Sequence, residues 1–177
     1  MSAGIKQRLG QSGNDGRDAA NAPSMPFWEM KTGPDGRSTI DQQWLNGFVQ
    51  RSVSGDAAPS WMRAFDGKVK TIWFNVLPEG WEGVWHPSPA LQWVVPLSGH
   101  WFIETQDGTR VEMGPGDIHW GADVASGNNN AIAHLSGVIG DAPCVQLMIQ
   151  FGQVGDAAVA QTGTSANLTA INDEEAV

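Results

Sequence analysis

Turn signals recur about every ten residues through most of this chain, each separating two short runs rich in β-branched and aromatic residues. Gly33-Pro34-Asp35-Gly36, Pro78-Glu79-Gly80, Ser98-Gly99, Asp107-Gly108, Gly114-Pro115-Gly116-Asp117 and Gly140-Asp141-Ala142-Pro143 are the punctuation. Such spacing leaves room for strands and little for helices. No segment carries the long apolar periodicity of a bundle helix, and no repeat of fixed period appears. The 22 Gly and 10 Pro of the 177 residues supply the turns. The fold class read from this pattern is all-β, with roughly eight short strands in a double-sheet jelly roll or small barrel.

The strands are expected at 61–65, 69–77, 100–105, 110–113, from 118, at 132–139 and at 145–151. The stretch 80–99, GWEGVWHPSPALQWVVPLSG, reads as a strand, a proline-bounded bend, a second strand and a turn into a third. Trp44, Leu45, Phe48 and Val49 fit one helical turn better than a strand, in a segment too short to decide. Residues 1–24 are Gly, Asn, Asp, Ser and Ala with little to bury, and 153–177 end in acidic residues. These are a flexible arm and a solvated tail around one domain at 25–152.

Several function classes are disfavoured by composition. A formal net charge of −9 is the wrong sign for a phosphate-binding surface, and no polybasic patch addresses an anionic membrane. Cys144 is the single cysteine, so no intrachain disulfide forms; in its apolar run it reads as a buried strand residue. The first ten residues lack the apolar core of a secretory signal, and no apolar run is long enough to span a bilayer. A cytoplasmic protein is the expectation.

The chemistry-bearing residues cluster in the 80–99 stretch. His86, Ser88 and Gln92 form a polar group between β segments, and His134 on a later strand closes a shared pocket with them. Gln92 orients groups but is no base, since an amide does not titrate near neutrality. By alternation Trp101 and Ile103 face inward and His100 outward; the direction of His119 depends on an unresolved register. Most of Trp73, Trp81, Trp85, Trp93, Trp101 and Trp120 are core or subunit packing, with Trp73 and Trp101 the candidates for lining an apolar pocket. Ser98 and Ser136 lack the strand-turn-helix setting of a nucleophile, and Gly114-Pro115-Gly116 lacks the helix start of a phosphate loop.

Gly80, His86, Ser88, Gln92 and Gly99 fall in the slots of the first motif of the cupin family, which this stretch resembles. Ser88 stands where that motif has its second His, and Gln92 where it has Glu. Pro115-Gly116-Asp117 resembles the turn of the second motif, and His134 its distal His, reached through a longer loop. The likeness covers about 69–151 and implies a jelly-roll barrel. It also implies a divalent transition metal (Zn, Fe, Mn, Ni or Cu) held weakly by His86, Gln92 and His134, with Ser88 a very poor ligand. Without metal, His86 and His134 are left as a proton-carrying pair. The implied activity is oxygenation, isomerisation or elimination on a small, partly apolar molecule. The alternatives are a non-catalytic ligand-binding module and a structural, dimer-forming domain. Cupins pair through an edge strand or an exchanged N-terminal segment, so a homodimer is expected, with Phe27-Trp28 in or near the contact.

Overall fold

The computed structural model describes residues 21–65, 67–125 and 133–152. Most of the expected arm, the tail after 152 and the polar loop at 126–130 lie outside the described residues. Eleven strands occur among the described residues, and no helix there is long and apolar enough to cross a membrane.

The chain divides into two compact units. Within 25–152, Asn46–Arg63 belongs to the smaller unit rather than to the larger one. Its described part is a short antiparallel hairpin, β3 (Val49–Arg51) with β4 (Ser60–Met62), in which the Arg63 guanidinium donates to the carbonyl of Asn46.

The larger unit, Ser24–Leu45 with Ala64–Val177, holds the other nine strands. Six of them are β1 (Met25–Thr32), β2 (Ser38–Leu45), β5 (Val69–Leu77), β6 (Gln92–Ser98), β9 (His119–Ala122) and β11 (Cys144–Phe151). They form one sheet in the order β2-β1-β9-β6-β11-β5, antiparallel except for the parallel β1–β9 pair. The others, β7 (His100–Thr105), β8 (Arg110–Met113) and β10 (His134–Ile139), form an antiparallel sheet in the order β10-β7-β8.

A hydrophobic cluster joins the two sheets. Met30, Ile40, Leu77 and Val94 come from the first, and Trp101, Ile103, Val111 and Met113 from the second. Each such side chain, fully buried, is worth about 1.5–3 kcal/mol against leaving it in water. Two facing sheets over one core are compatible with the cupin-type jelly roll that the motif implies. Gly99 makes the β6–β7 corner. Its φ is 71°, and a Cβ there would run into the carbonyl of Pro143, so both the turn and the close approach require glycine.

Three sequence expectations are corrected. Trp44 and Leu45 end a full strand paired to β1, not a helical turn; eight ladder partners outweigh a weak local period. The strand expected at 61–65 is shorter, ending at Met62. Residues 81–91 are not a strand but an irregular run held by isolated bridges, two of them to β10. Prolines at 87 and 89 remove two ladder donors there.

Candidate functional site

That irregular run is what brings the two histidines together. Gly83 donates its N–H to the carbonyl of Ser136 (2.8 Å), and Val138 donates to the carbonyl of Trp81 (2.8 Å). One step further, His86 and His134 exchange both backbone hydrogen bonds, each at 3.0 Å. Facing residues on such a bridge point the same way, and here the two imidazoles stand with ring centres 4.5 Å apart. Both line a cavity of about 310 Å³ between the sheets, at the small end of the range for ligand sites.

Each ring has one nitrogen committed. His86 Nδ1 lies 2.6 Å from the carbonyl oxygen of Val84, and His134 Nδ1 lies 2.8 Å from Oδ2 of Asp123. A carbonyl or carboxylate oxygen only accepts, so Nδ1 carries the proton in both, and Nε2 of each neutral ring keeps a lone pair. Asp123 is fully buried. Its carboxylate also accepts from the hydroxyl of Ser38 (2.7 Å) and the backbone N–H of Ser88 (3.3 Å). Burial alone would push this carboxyl up. The hydrogen bond and charge of His134, with the Ser38 hydroxyl, override that and hold it below the usual carboxylate range.

His119 also lines the cavity, 1% exposed. Its register, open in the sequence, is settled by the pairing His119↔Val94, which puts it on the cavity side and Trp120 on the other. Burial, and then the charge on His134, push its pKa down to about 3, against smaller opposing effects from Asp123 and the backbone of Trp28. It is a neutral imidazole at physiological pH. His100 is exposed, as alternation predicted. The thiol of Cys144 is buried and its pKa is pushed up by burial, so it is not poised as a nucleophile.

The remaining expected site residues separate. Gln92 and Trp101 line the cavity. Ser88 is buried beside Asp123 and is not in the cavity wall; a Cβ at Gly121 would come within 2.9 Å of its hydroxyl and 3.3 Å of His119 Nε2, so a larger residue there would displace one of them. Trp73 is a correction. It is 52% exposed, away from the cavity, with Nε1 donating to Gln150 Oε1 at 3.1 Å. It lies on the strand at the edge of the sheet among the described residues. Phe27 is corrected as a surface contact: it is buried and meets the Trp93 ring edge-on at 5.4 Å.

Among the described residues no three His, Cys, Asp or Glu side chains are grouped to hold a metal ion. The Oε1 of Gln92, the amide atom able to ligate, already accepts from Gln150 Nε2 at 3.0 Å. The expected set of two imidazoles and an engaged amide is a poor fit for a transition ion, and the third imidazole of the wall, His119, is not grouped with them to complete a site.

Sequence reading missed Asp123, Asn75 and Gln146, all three placed at or behind the cavity wall. The signal was present: each is a lone polar residue inside an apolar strand-like run, and such residues are retained where they have a buried partner.

No family model matches the chain, and no curated protein matches it. Among solved structures, the cupin domain of Schizosaccharomyces pombe Cnp3 is similar at a TM-score of 0.36 and 11% identity, over 79% of this chain and 96% of that one. A likeness that remote says nothing about the chemistry of this site.

Proposed function

We propose that the cavity binds a small, partly apolar molecule and moves a proton on it, as in an isomerase or lyase. The observation that carries this is the buried His134–Asp123 contact of 2.8 Å beside His86. In this reading the carboxylate fixes the His134 tautomer, so Nε2 accepts a proton from a carbon next to a carbonyl. The electron pair moves onto the carbonyl oxygen, and Asp123 stabilises the imidazolium that forms. The His134 Nε2–H then returns the proton to the same carbon, from either face of the enolate, so the exchange or epimerisation balances without any redox partner, with the His86 ring beside it. No step is routed through a metal ion.

The test uses cyclohexanone as probe. Its α-protons should exchange in D2O faster with the protein than with buffer, by NMR, and His134→Gln should remove about 100-fold or more of that gain. Binding without exchange would favour the alternative, a non-catalytic ligand-binding barrel.

We further propose that the chain forms a homodimer through β5. Among the described residues this strand ends the six-stranded sheet, paired on one side only, and Ile72, Phe74 and Val76 on it are exposed. A nine-residue antiparallel edge with an apolar face is complementary to a second copy of itself about a two-fold axis. Light scattering should give twice the chain mass at micromolar concentration, and a monomer would contradict it.

A further inference from the structure

The cavity wall is apolar on one side and polar on the other, and the polar side is notable for its charge. Among the described residues no Lys, Arg, Asp or Glu lines it. Its polar groups are the carboxamides of Asn75, Gln92 and Gln146, the hydroxyl of Ser136, and imidazoles. His119 is held neutral by its burial. Asp123 stands behind His134 with both carboxylate oxygens already taken by His134, Ser38 and Ser88. An anion entering this space would shed its water and find no fixed cation; an ammonium would find no free carboxylate.

Several of these polar groups are poorly satisfied within the chain. Gln146 is 2% exposed, yet its Nε2 has only the thiol of Cys144 at 3.8 Å, and its Oε1 only Asn75 Nδ2 at 3.4 Å. Trp101 Nε1, on another wall residue whose ring meets that of His119 edge-on at 5.8 Å, has no hydrogen-bond partner among the described residues. Trp120 Nε1 is also unpartnered, but Trp120 lies on the opposite face of the sheet and not in the wall. Buried donors left in this state are retained where something else completes them.

We infer that the cavity selects an uncharged carbonyl compound over carboxylates and amines, with the Gln146 carboxamide donating to the ligand's carbonyl oxygen. This rests on the reading of the cavity as the substrate site. An oxygen there replaces a sulfur contact with a proper N–H···O bond, while Leu77, Val94, Ile103 and Met148 cover the hydrocarbon part.

Three probes of one shape test it: cyclohexanone, cyclohexanecarboxylate and cyclohexylamine, titrated separately into the 15N-labelled full chain at pH 7. Cyclohexanone should shift the cavity resonances saturably, with both ions at least about tenfold weaker. Gln146→Met keeps the volume and removes the donor, and should weaken cyclohexanone about tenfold while leaving methylcyclohexane unchanged. Either ion binding as tightly as the ketone overturns the inference, and so does an unaltered ketone affinity in Gln146→Met. If that variant does not fold, the ranking of the three probes in the wild type decides alone. His134→Gln should still bind cyclohexanone although it no longer exchanges the α-protons, so a failure of proton transfer and a failure of ligand selection give different results.

Discussion

The two faces of the six-stranded sheet at β6 and β9 are built from neighbouring residues and have opposite characters. On one face Gln92, Val94 and His119 look into the cavity. On the other, Trp93 and Trp120 pack at 4.7 Å between ring centres, with Phe65 and Phe151 against Trp120 at 5.1 and 5.8 Å. The aromatic face is filled with tilted ring contacts, the arrangement that close-packed interiors favour. The cavity face has open volume and underused polar atoms. One strand residue further along therefore changes a side chain's task from cohesion to chemistry, and the two tasks should respond to mutation separately.

The largest effect should come from the aromatic face. Trp120→Ala removes a side chain 1% exposed at the centre of that cluster and should cost about 3–5 kcal/mol in urea unfolding. An equally large stability loss in His134→Gln would erase the division between the faces.

The cavity face should reveal itself through acid. His119 titrates at about 3 when folded and near 6.5 when free, so the unfolded chain takes the proton first. Its contribution is full above pH 6.5 and is lost as pH falls toward 3, on the order of 3 kcal/mol by pH 4. Asp123 has its folded pKa lowered too, but its ordinary value is 3.8, so its share is lost only at lower pH. His119→Gln should flatten the stability curve between pH 6.5 and 4; an unchanged slope would show that His119 does not set the acid response.

Asp123→Asn keeps the size and removes the charge. It leaves the Nδ1 proton of His134 without its anionic acceptor and should cost about 2 kcal/mol, together with most of the α-proton exchange. Loss of stability with exchange intact would make the contact purely structural. The smallest stability change belongs to the exposed sheet edge. Phe74→Asp, at a site 76% exposed, should stay within about 0.5 kcal/mol for the monomer while abolishing the dimer in light scattering.

Much of the fold was legible in the sequence because strand signals are local. The runs 69–77, 100–105 and 110–113 came out with the boundaries seen, each bracketed by turn residues that leave no choice. The pairing of His86 with His134 could be anticipated only through the motif. What was not legible depends on long-range register. Trp73 and Trp101 both look inward by type, yet Trp101, on the three-stranded sheet, packs against the six-stranded one, while Trp73 sits exposed on the last strand of that sheet among the described residues. Asp123 was missed because a lone carboxylate acquires its role only when β10 lays His134 against it.

Long-range 1H–15N NMR of the imidazole rings bears most directly on the proposed base. In its neutral form His134 should be the Nδ1–H tautomer, and its Nε2 resonance should move when cyclohexanone enters. A His134 protonated at Nε2 instead, or one indifferent to a ketone that binds elsewhere in the cavity, would contradict the account.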